Sequence, residues 1–290
     1  MINTLQPFQP NQPIIITYST CFYILKSKFD PSFYIQWMKN MLSIVKNFNL
    51  VIYTNIIFLG DIKIIENDPN SKIKNNPLIK IINKPLYNFY CYRYKDLWIA
   101  NHSKNLSLKE TSWELNMLWN EKIAFVNETI KMQYFKTENY GWCDIGYFRN
   151  RPEDTHTNKL YNWSSFNVIH SLSQNNFIYY ACVNNDSNYI NYLTDIINNK
   201  NKKELPSFPI PEEQISVSGG FFILQKNKIN WWFNTYYQKL NLYLTNDYLI
   251  KDDQIILADC IFTNSIRNNF FLFHENDSYD NWFMFQRILK

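Results

Sequence analysis

One acidic residue, Asp144, lies between two glycines in the stretch YGWCDIGYFRN at residues 140–150, within a run that otherwise predicts a buried strand. A carboxylate at the carboxyl end of a strand in an α/β sheet faces the crevice where such sheets bind ligands. Burying the charge of this carboxylate without a counter-charge costs free energy. A divalent metal ion bound to a diphosphate would supply the counter-charge. Gly146 would then leave space for a phosphate or a sugar. The alternative is that Asp144 caps a turn and that Gly146 adopts a left-handed conformation.

Two other features point to the same crevice. Lys122 lies in the apolar stripe of a helix predicted from about 107 to 132. A lysine on a core-facing stripe needs a partner or a route to water, so it either extends to solvent or contacts an anionic ligand. Gly219 and Gly220 interrupt the strand-like run ISVSGGFFIL, where adjacent glycines indicate a bulge or a close approach to the backbone.

A fourth segment, KDDQIIL, places Asp252, Asp253 and Gln254 at the start of a predicted helix. The commonest use of an aspartate at this position is to cap the helix, and this is the alternative for Asp252. Asp253 and Gln254 would lie in the first turn, from which their side chains could project into the crevice.

Alternating strands and helices must position these residues. Strands are predicted at 14–19, 50–55 and 78–83, in the 140–150 stretch, and at 176–183, 215–224 and 270–275. Helices are predicted from Asp30 and Pro31, over 88–100, over 107–132, near 228–243 and from Asp252. The pattern predicts an α/β fold with an open, mostly parallel sheet flanked by helices. We expect a single domain over 1–290, in which 184–213, with three prolines near its end, forms a loop insertion.

Composition excludes several classes of protein. The net charge of +4 on 290 residues is too small to indicate a nucleic-acid-binding protein. The five cysteines are odd in number and form no CxxC pair, which favours reduced thiols in a cytoplasmic protein. Neither a signal peptide nor an apolar run of about 18 residues is found, so we expect no membrane span. Neither GxGxxG nor a P-loop motif occurs, so a bound nucleotide would have to be held in another way.

The order of several segments resembles that of GT-A glycosyltransferases of the HtrL/YibB-like type, including members encoded in giant-virus genomes. The matching segments, in chain order, are ITYSTCFYILKSKFD, LVIYTN, WNEKIAFVNETI, WCDIGYFR, SGGFFIL and DDQIIL. The resemblance implies a GT-A-like (Rossmann-like) fold and transfer of a sugar from a UDP- or GDP-sugar to a hydroxyl of a glycan or glycoprotein. A viral member would act in the host cytoplasm or in the virion. This chain departs from the main families at Gly146, where they carry a second metal-binding aspartate.

The resemblance also implies roles for particular residues. Asp144 would bind Mn²⁺ or Mg²⁺, and His274 would complete the metal shell, with a structural histidine as the alternative. Lys122 would contact the diphosphate of the donor. Gly219 and Gly220 would lie beneath the transferred sugar, where bare backbone leaves room for the ring.

For Asp252, Asp253 and Gln254 the resemblance implies contacts with sugar or acceptor hydroxyls. In an inverting enzyme one of the two aspartates would instead take the acceptor proton as a general base, and the sequence does not decide which. Arg149 and Arg151 follow Asp144 closely and would either clamp phosphate or form surface ion pairs.

Positions at the ends of the first two predicted strands match those that hold the base and ribose in similar enzymes. They are Thr17 and Tyr18 in the first strand and Thr54 and Asn55 in the second, with ordinary turn chemistry as the alternative. Residues 184–213 would lie on the acceptor side. The competing hypothesis is a carbohydrate- or nucleotide-sugar-binding module of the same fold that has lost transfer activity, and the missing second aspartate favours it.

Overall fold

A computed structural model describes residues 13–58, 60, 76–275 and 279–290. In this part of the chain one sheet contains the strands β1 Ile16–Phe22, β2 Asn49–Thr54, β3 Ile79–Asn83, β4 Asn139–Cys143, β5 Ile178–Ala181, β6 Phe221–Gln225 and β7 Phe270–Phe273. Their order across the sheet is β3-β2-β1-β4-β6-β5-β7. β6 is antiparallel to both of its neighbours, and the other pairs are parallel. The predicted α/β fold with an open, mostly parallel sheet is confirmed.

Helices cover both faces of this sheet. They are α1 Pro31–Ser43, α2 Lys95–His102, α3 Trp113–Trp119, α4 Lys122–Lys131, α5 Phe166–Ser173, α6 Ser187–Asn198, α7 Ile229–Thr245, α8 Asp253–Phe262 and α9 Phe285–Ile288. Side chains alternate between the faces of a strand, so neighbouring residues enter different cores. In β6, Phe221 packs with α1 and α9 side chains such as Met38 and Phe285, whereas Phe222 packs with α4, α7 and α8 side chains such as Phe125.

The first strand differs from its predicted bounds. Thr17 and Tyr18 do not end it, because Thr20, Cys21 and Phe22 continue the parallel pairing with β2. The prediction of a strand end at Thr17 and Tyr18 is therefore wrong. A short apolar run shows that a strand is present, but it does not show where the pairing stops.

The helix predicted over 107–132 is in fact two shorter helices, α3 and α4. They are separated at Asn120 and Glu121. The buried Glu121 carboxylate accepts hydrogen bonds from the backbone N–H groups of Tyr90, at 2.6 Å, and Cys91, at 2.8 Å. These contacts anchor the break, and Lys122 consequently lies in the first turn of α4 instead of mid-helix.

Other local predictions have mixed outcomes. The Asp30 side chain accepts a hydrogen bond from the Ser32 backbone N–H, and Pro31 begins α1, so this predicted helix start is confirmed. The segment 184–213 is not wholly a loop, because α6 occupies its first half. All five cysteines are buried and free, in agreement with reduced thiols. Among the helices of the described residues, none combines the length and apolar character needed to cross a membrane.

Candidate functional site

A cavity of about 480 Å³ opens at the carboxyl ends of β1 and β4. Because β6 runs in the opposite direction, its beginning lies at this same edge, and the two glycines before Phe221 reach the cavity. The first turn of α8 and the first residue of α4 complete the inner wall. Cavities of a few hundred Å³ are typical of sites for small molecules. The predicted site residues that line it are Lys122, Asp144, Gly146, Arg149, Arg151, Gly219, Gly220, Asp252, Asp253 and Gln254.

The Lys122 ammonium lies at the inner end of this cavity and is enclosed by acceptors. Its Nζ is 3.2 Å from Asp144 Oδ1, 3.0 Å from Asp253 Oδ2 and 2.9 Å from the Gly219 carbonyl oxygen. An ammonium has three N–H donors, so these three groups satisfy all of them. Burial disfavours the charged form, but the two carboxylates outweigh it and hold the pKa of Lys122 above its ordinary value. The amine is therefore occupied by the protein itself.

The three aspartates of the site differ in their access to the cavity. The Asp144 side chain is 37% exposed, whereas that of Asp253 is 7% exposed. Trp142 Nε1 donates a hydrogen bond to Asp144 Oδ1 at 2.5 Å, which fixes one oxygen of this carboxylate. Asp252 caps α8, because its Oδ1 accepts a hydrogen bond from the Gln254 backbone N–H at 3.1 Å. Asp144 is thus the most open of the three.

Burial raises the pKa of two of these carboxyl groups. For Asp253 the pKa reaches about 6, because burial and the charges of Asp252 and Asp144 outweigh the attraction of Lys122. For Asp252, burial raises the pKa against the opposing effect of Lys251. Three carboxylates around one ammonium give this inner end an excess of negative charge at neutral pH.

The glycines leave space for the protein's own side chains. A Cβ at Gly219 would overlap the Asp253 carboxylate, and a Cβ at Gly220 would lie 3.3 Å from Asp144 Oδ2. A Cβ at Gly146 would lie 2.9 Å from the Trp37 ring. The expectation that Gly146 leaves space for a phosphate or sugar is corrected, since α1 fills that space. No glycine among the described residues has a positive φ, so the left-handed alternative for Gly146 is also wrong.

The structure does not bring the other predicted residues to the cavity. Thr17 Oγ1 hydrogen-bonds Thr137 Oγ1 at 2.9 Å inside the sheet, and the buried Tyr18 hydroxyl hydrogen-bonds Ser164 Oγ at 3.0 Å. These two residues lie near the start of β1, away from the carboxyl end where the cavity opens, which removes the basis for a role with the base and ribose.

The second strand and the late histidine also lie away from the cavity lining. Thr54 ends β2 as predicted, but its hydroxyl donates to the Phe22 carbonyl at 2.7 Å, and neither Thr54 nor Asn55 lines the cavity. His274 follows β7, and its Nδ1 lies 3.0 Å from the Cys182 carbonyl oxygen. None of residues 184–213 lines the cavity, so their acceptor-side role has no support from position.

The described residues do not fit a resident divalent metal. Asp144 and His274 are not brought together, and the Lys122 ammonium occupies the position between the Asp144 and Asp253 carboxylates. Within the part of the chain that the structure describes, no group of three histidine, cysteine or acidic side chains could hold a metal ion. A cation at the exposed side of the Asp144 carboxylate would need most of its ligands from the molecule that fills the cavity.

Several lining residues had no signal in the sequence. The aromatic residues Tyr23, Phe29, Trp119, Trp282 and Phe283 come from three separate segments. Nothing in their local patterns distinguishes them from core aromatics. Asp280 and Trp282 in addition lie in a C-terminal segment for which no element was predicted. Trp142 was detectable in principle, since alternation along β4 places it on the same side as Asp144.

Comparisons with known proteins give distant likenesses to solved structures. No family model matches the chain, and no curated protein matches it. The chain is similar to a crystal structure of an active-site mutant of LgtC, at 10% identity and a TM-score of 0.42, over 88% of this chain and 72% of that one. It is also similar to galactosyltransferase LgtC in complex with donor and acceptor sugar analogs, at 9% identity and a TM-score of 0.41, over 84% and 69%. Scores this low carry no inference about function.

Proposed function

We propose that the chain is a GT-A-type glycosyltransferase that moves a sugar from a nucleoside diphosphate sugar to a hydroxyl of a glycan or glycoprotein. The observation that supports it most is the Lys122 contact with both Asp144 and Asp253 at the wall of a ligand-sized cavity. Lys122 keeps two like-charged carboxylates together in one place. Such a cluster suits a reaction in which a hydroxyl loses a proton and charge moves to a leaving diphosphate. The HtrL/YibB-like assignment and a cytoplasmic location remain predictions from the sequence.

Asp144 is the residue we assign to the donor. It is the carboxylate with the largest open surface, and Trp142 and Lys122 fix its orientation. Asp144 would be the chain's contact for an Mn²⁺ or Mg²⁺ bound to the diphosphate of a UDP- or GDP-sugar, and such an ion would offset the charge of the leaving group. The chain's own contribution is a preoriented carboxylate at the position where that complex docks.

Asp252 is the better candidate for accepting the acceptor proton in an inverting transfer. Its Oδ1 caps α8, while its Oδ2 is 3.8 Å from Lys251 Nζ and remains available at the cavity wall. Asp253 is held by Lys122 and packs against Gly219, so we assign it a positioning role. In the proposed step the acceptor hydroxyl gives its proton to Asp252, its oxygen bonds to the anomeric carbon, and the bond to the diphosphate oxygen breaks.

The competing function is a binding module without transfer activity. It is favoured by Gly146, which stands in place of a second aspartate, and by the lack of a three-residue metal cluster among the described residues. Such a module would bind a nucleotide sugar or a glycan without releasing a nucleoside diphosphate.

The test is nucleoside diphosphate release from a panel of UDP- and GDP-sugars, with an oligosaccharide mixture and with or without Mn²⁺ and Mg²⁺. We expect Asp144→Asn to lower turnover by at least about 100-fold while the melting temperature stays close to that of wild type. Asp247→Asn is the matched control, because Asp247 is an exposed partner of Lys104 that lies outside the cavity lining. Donor binding without any release would instead establish the binding module, and equal turnover in both variants would remove Asp144 from the site.

A further inference from the structure

Two arginines follow Asp144, and they have different electrostatic environments. Arg151 forms ion pairs with Glu153 at 3.0 Å, with Asp154 at 2.7 Å and with Asp280 at 2.7 Å. Arg149 lines the same cavity, but it forms no ion pair with any carboxylate of the described residues. Arg151 is therefore paired directly with acidic side chains, whereas Arg149 has no carboxylate of the described residues within ion-pair distance.

The Arg149 guanidinium is held by aromatic rings. Its central carbon lies 4.4 Å from the centre of the Trp37 ring, 5.0 Å from that of Phe283 and 5.3 Å from that of Phe29. Its Nε donates a hydrogen bond to the Gly146 carbonyl at 2.9 Å, which leaves the two terminal nitrogens as donors. Burial and the nearby charge of Arg151 lower the pKa of Arg149 against the attraction of Asp144 and Asp154, and the guanidinium remains charged.

Arg149 differs from the other basic residues that line the cavity. Four basic residues line the described cavity. Lys28 lies 3.8 Å from Glu110, Lys122 contacts two aspartates, and Arg151 contacts three acidic residues. Only Arg149 among these four lacks a carboxylate partner in the described residues. A partly buried charge without a partner is costly, and an anionic group on a ligand would supply the missing charge.

The neighbouring aromatic side chains indicate what carries this anionic group. Phe29 lines the cavity with 41% of its surface exposed, and Tyr34 and Trp282 also line it. Exposed aromatic faces at a cavity mouth pack well against the apolar C–H face of a sugar ring. A planar guanidinium binds a carboxylate or a phosphate through two parallel hydrogen bonds. Rings and guanidinium together match a sugar that carries an oxyanion.

We propose that Arg149, Phe29, Tyr34 and Phe283 form a subsite for an acidic saccharide, whose carboxylate or phosphate pairs with the Arg149 guanidinium. This acidic-saccharide subsite rests on the proposed function and defines its acceptor class. The subsite lies beside α1, where the Arg149 guanidinium packs on Trp37, whereas Lys122 holds the donor contact Asp144 beside Asp253 at the start of α8. The transferred sugar would meet the acceptor hydroxyl between these two sides of the cavity.

The test measures binding of the full chain, by calorimetry, to a glucuronate-terminated oligosaccharide and to its neutral glucose-terminated counterpart. We expect wild type to bind the acidic ligand at least about 10-fold more tightly, and Arg149→Gln to lose this preference. Arg149→Lys should keep part of it, since the charge remains while the planar fork is lost. The matched control is Arg267→Gln, because Arg267 is also half-buried and without an ion pair in the described residues but lies in another cavity.

UDP and GDP, measured with the same variants, separate an acceptor from a donor role. The proposal predicts that their affinities change less than about threefold in Arg149→Gln, and a loss equal to that of the glucuronate ligand would overturn it. No acidic preference in wild type would overturn it as well. If Arg149→Gln does not fold, the wild-type protein is measured at increasing salt concentration instead. The affinity for the acidic ligand should then fall, while the affinity for the neutral ligand stays constant. These measurements report binding and need no turnover. A failure of the acidic-saccharide subsite can therefore be distinguished from a failure of the proposed transfer activity.

Discussion

Two cations in one cavity have opposite surroundings. Lys122 is enclosed by two carboxylates and a carbonyl oxygen, all within 3.2 Å of its ammonium. Arg149 is surrounded by three aromatic rings, and no carboxylate of the described residues forms an ion pair with it. Both residues would be chosen as phosphate contacts by charge alone. A cation whose donors are all satisfied by the protein stabilises the site, whereas a cation with free donors is available to a ligand.

The largest expected effect concerns the paired cation. Lys122→Met leaves Asp144 and Asp253 facing each other without an intervening charge, and we expect the free energy of unfolding to fall by about 3–5 kcal/mol. The measurement is urea denaturation of wild type and variant. Lys104→Met is the control, since Lys104 forms an exposed pair with Asp247 and should change stability by no more than about 1 kcal/mol. Unchanged stability together with weakened donor binding would show that Lys122 contacts the ligand. The two cations would then not differ in their availability to a ligand.

A second prediction uses the titration of Asp253. Its pKa is raised from 3.8 in the unfolded chain to about 6 in the folded protein by burial and by Asp252 and Asp144, against Lys122. The folded state therefore holds this proton more tightly, and the resulting stability is fully present below about pH 4 and is lost as the pH rises through 6. The loss is on the order of 3 kcal/mol.

Unfolding free energies of wild type and Asp253→Asn, measured between pH 4 and 7, isolate this effect. The variant should lack the decline that wild type shows between pH 4 and 6. Glu121, whose pKa burial raises to about 7, titrates in an overlapping range in both proteins, so the difference between the two curves is the relevant quantity. If the difference in unfolding free energy between the two proteins does not change with pH, Asp253 is ionised over the whole range. The attraction of Lys122 would then outweigh the effect of burial.

A third prediction tests the space beside the carboxylates. Gly219→Ala forces a Cβ into the Asp253 carboxylate, and we expect a loss of about 1–3 kcal/mol in unfolding free energy, because the pair with Lys122 must shift. Gly220→Ala is the matched neighbour, where the added carbon would lie 3.3 Å from Asp144 Oδ2 and needs only a small adjustment. Thermal denaturation compares the two, and a larger loss at Gly220 would contradict this packing.

The smallest effect is expected at the other cation. Arg149→Gln removes ring contacts but also removes an unpaired charge, so the unfolding free energy should change by less than about 1 kcal/mol. Urea denaturation beside Lys122→Met gives the comparison directly. Equal losses in the two variants would show that Arg149 is as structural as Lys122.

The parts of the fold and site that depend on neighbouring residues were predictable from the sequence. The Asp30 cap, the start of α8 at Asp252 and the position of Asp144 after β4 all follow from patterns within a few residues. Apolar runs located every strand of the described sheet, but not all of the bounds. The end of β1 was placed too early at Thr17 and Tyr18, and the strand predicted over 215–224 begins only at Phe221, after the two glycines.

The errors arise where a distant segment decides the outcome. The break before Lys122 depends on Glu121 binding backbone N–H groups at Tyr90 and Cys91, about thirty residues earlier in the chain. The space beside Gly146 is filled by Trp37 from α1. The pairing of Lys122 with Asp253 could not be predicted, because the two residues lie far apart in the chain. The apolar periodicity of one helix carries no information about a partner on another helix.

The most direct test of the central claim is the product of a reaction with both substrates present. Wild type would be incubated with the UDP- and GDP-sugar panel and with neutral and glucuronate-terminated oligosaccharides, and mass spectrometry and nucleotide analysis would follow both products. We expect that an oligosaccharide gains one sugar for each nucleoside diphosphate released, and that Asp144→Asn loses both together. Nucleotide release without extension of any oligosaccharide, or no release with any donor, would contradict it.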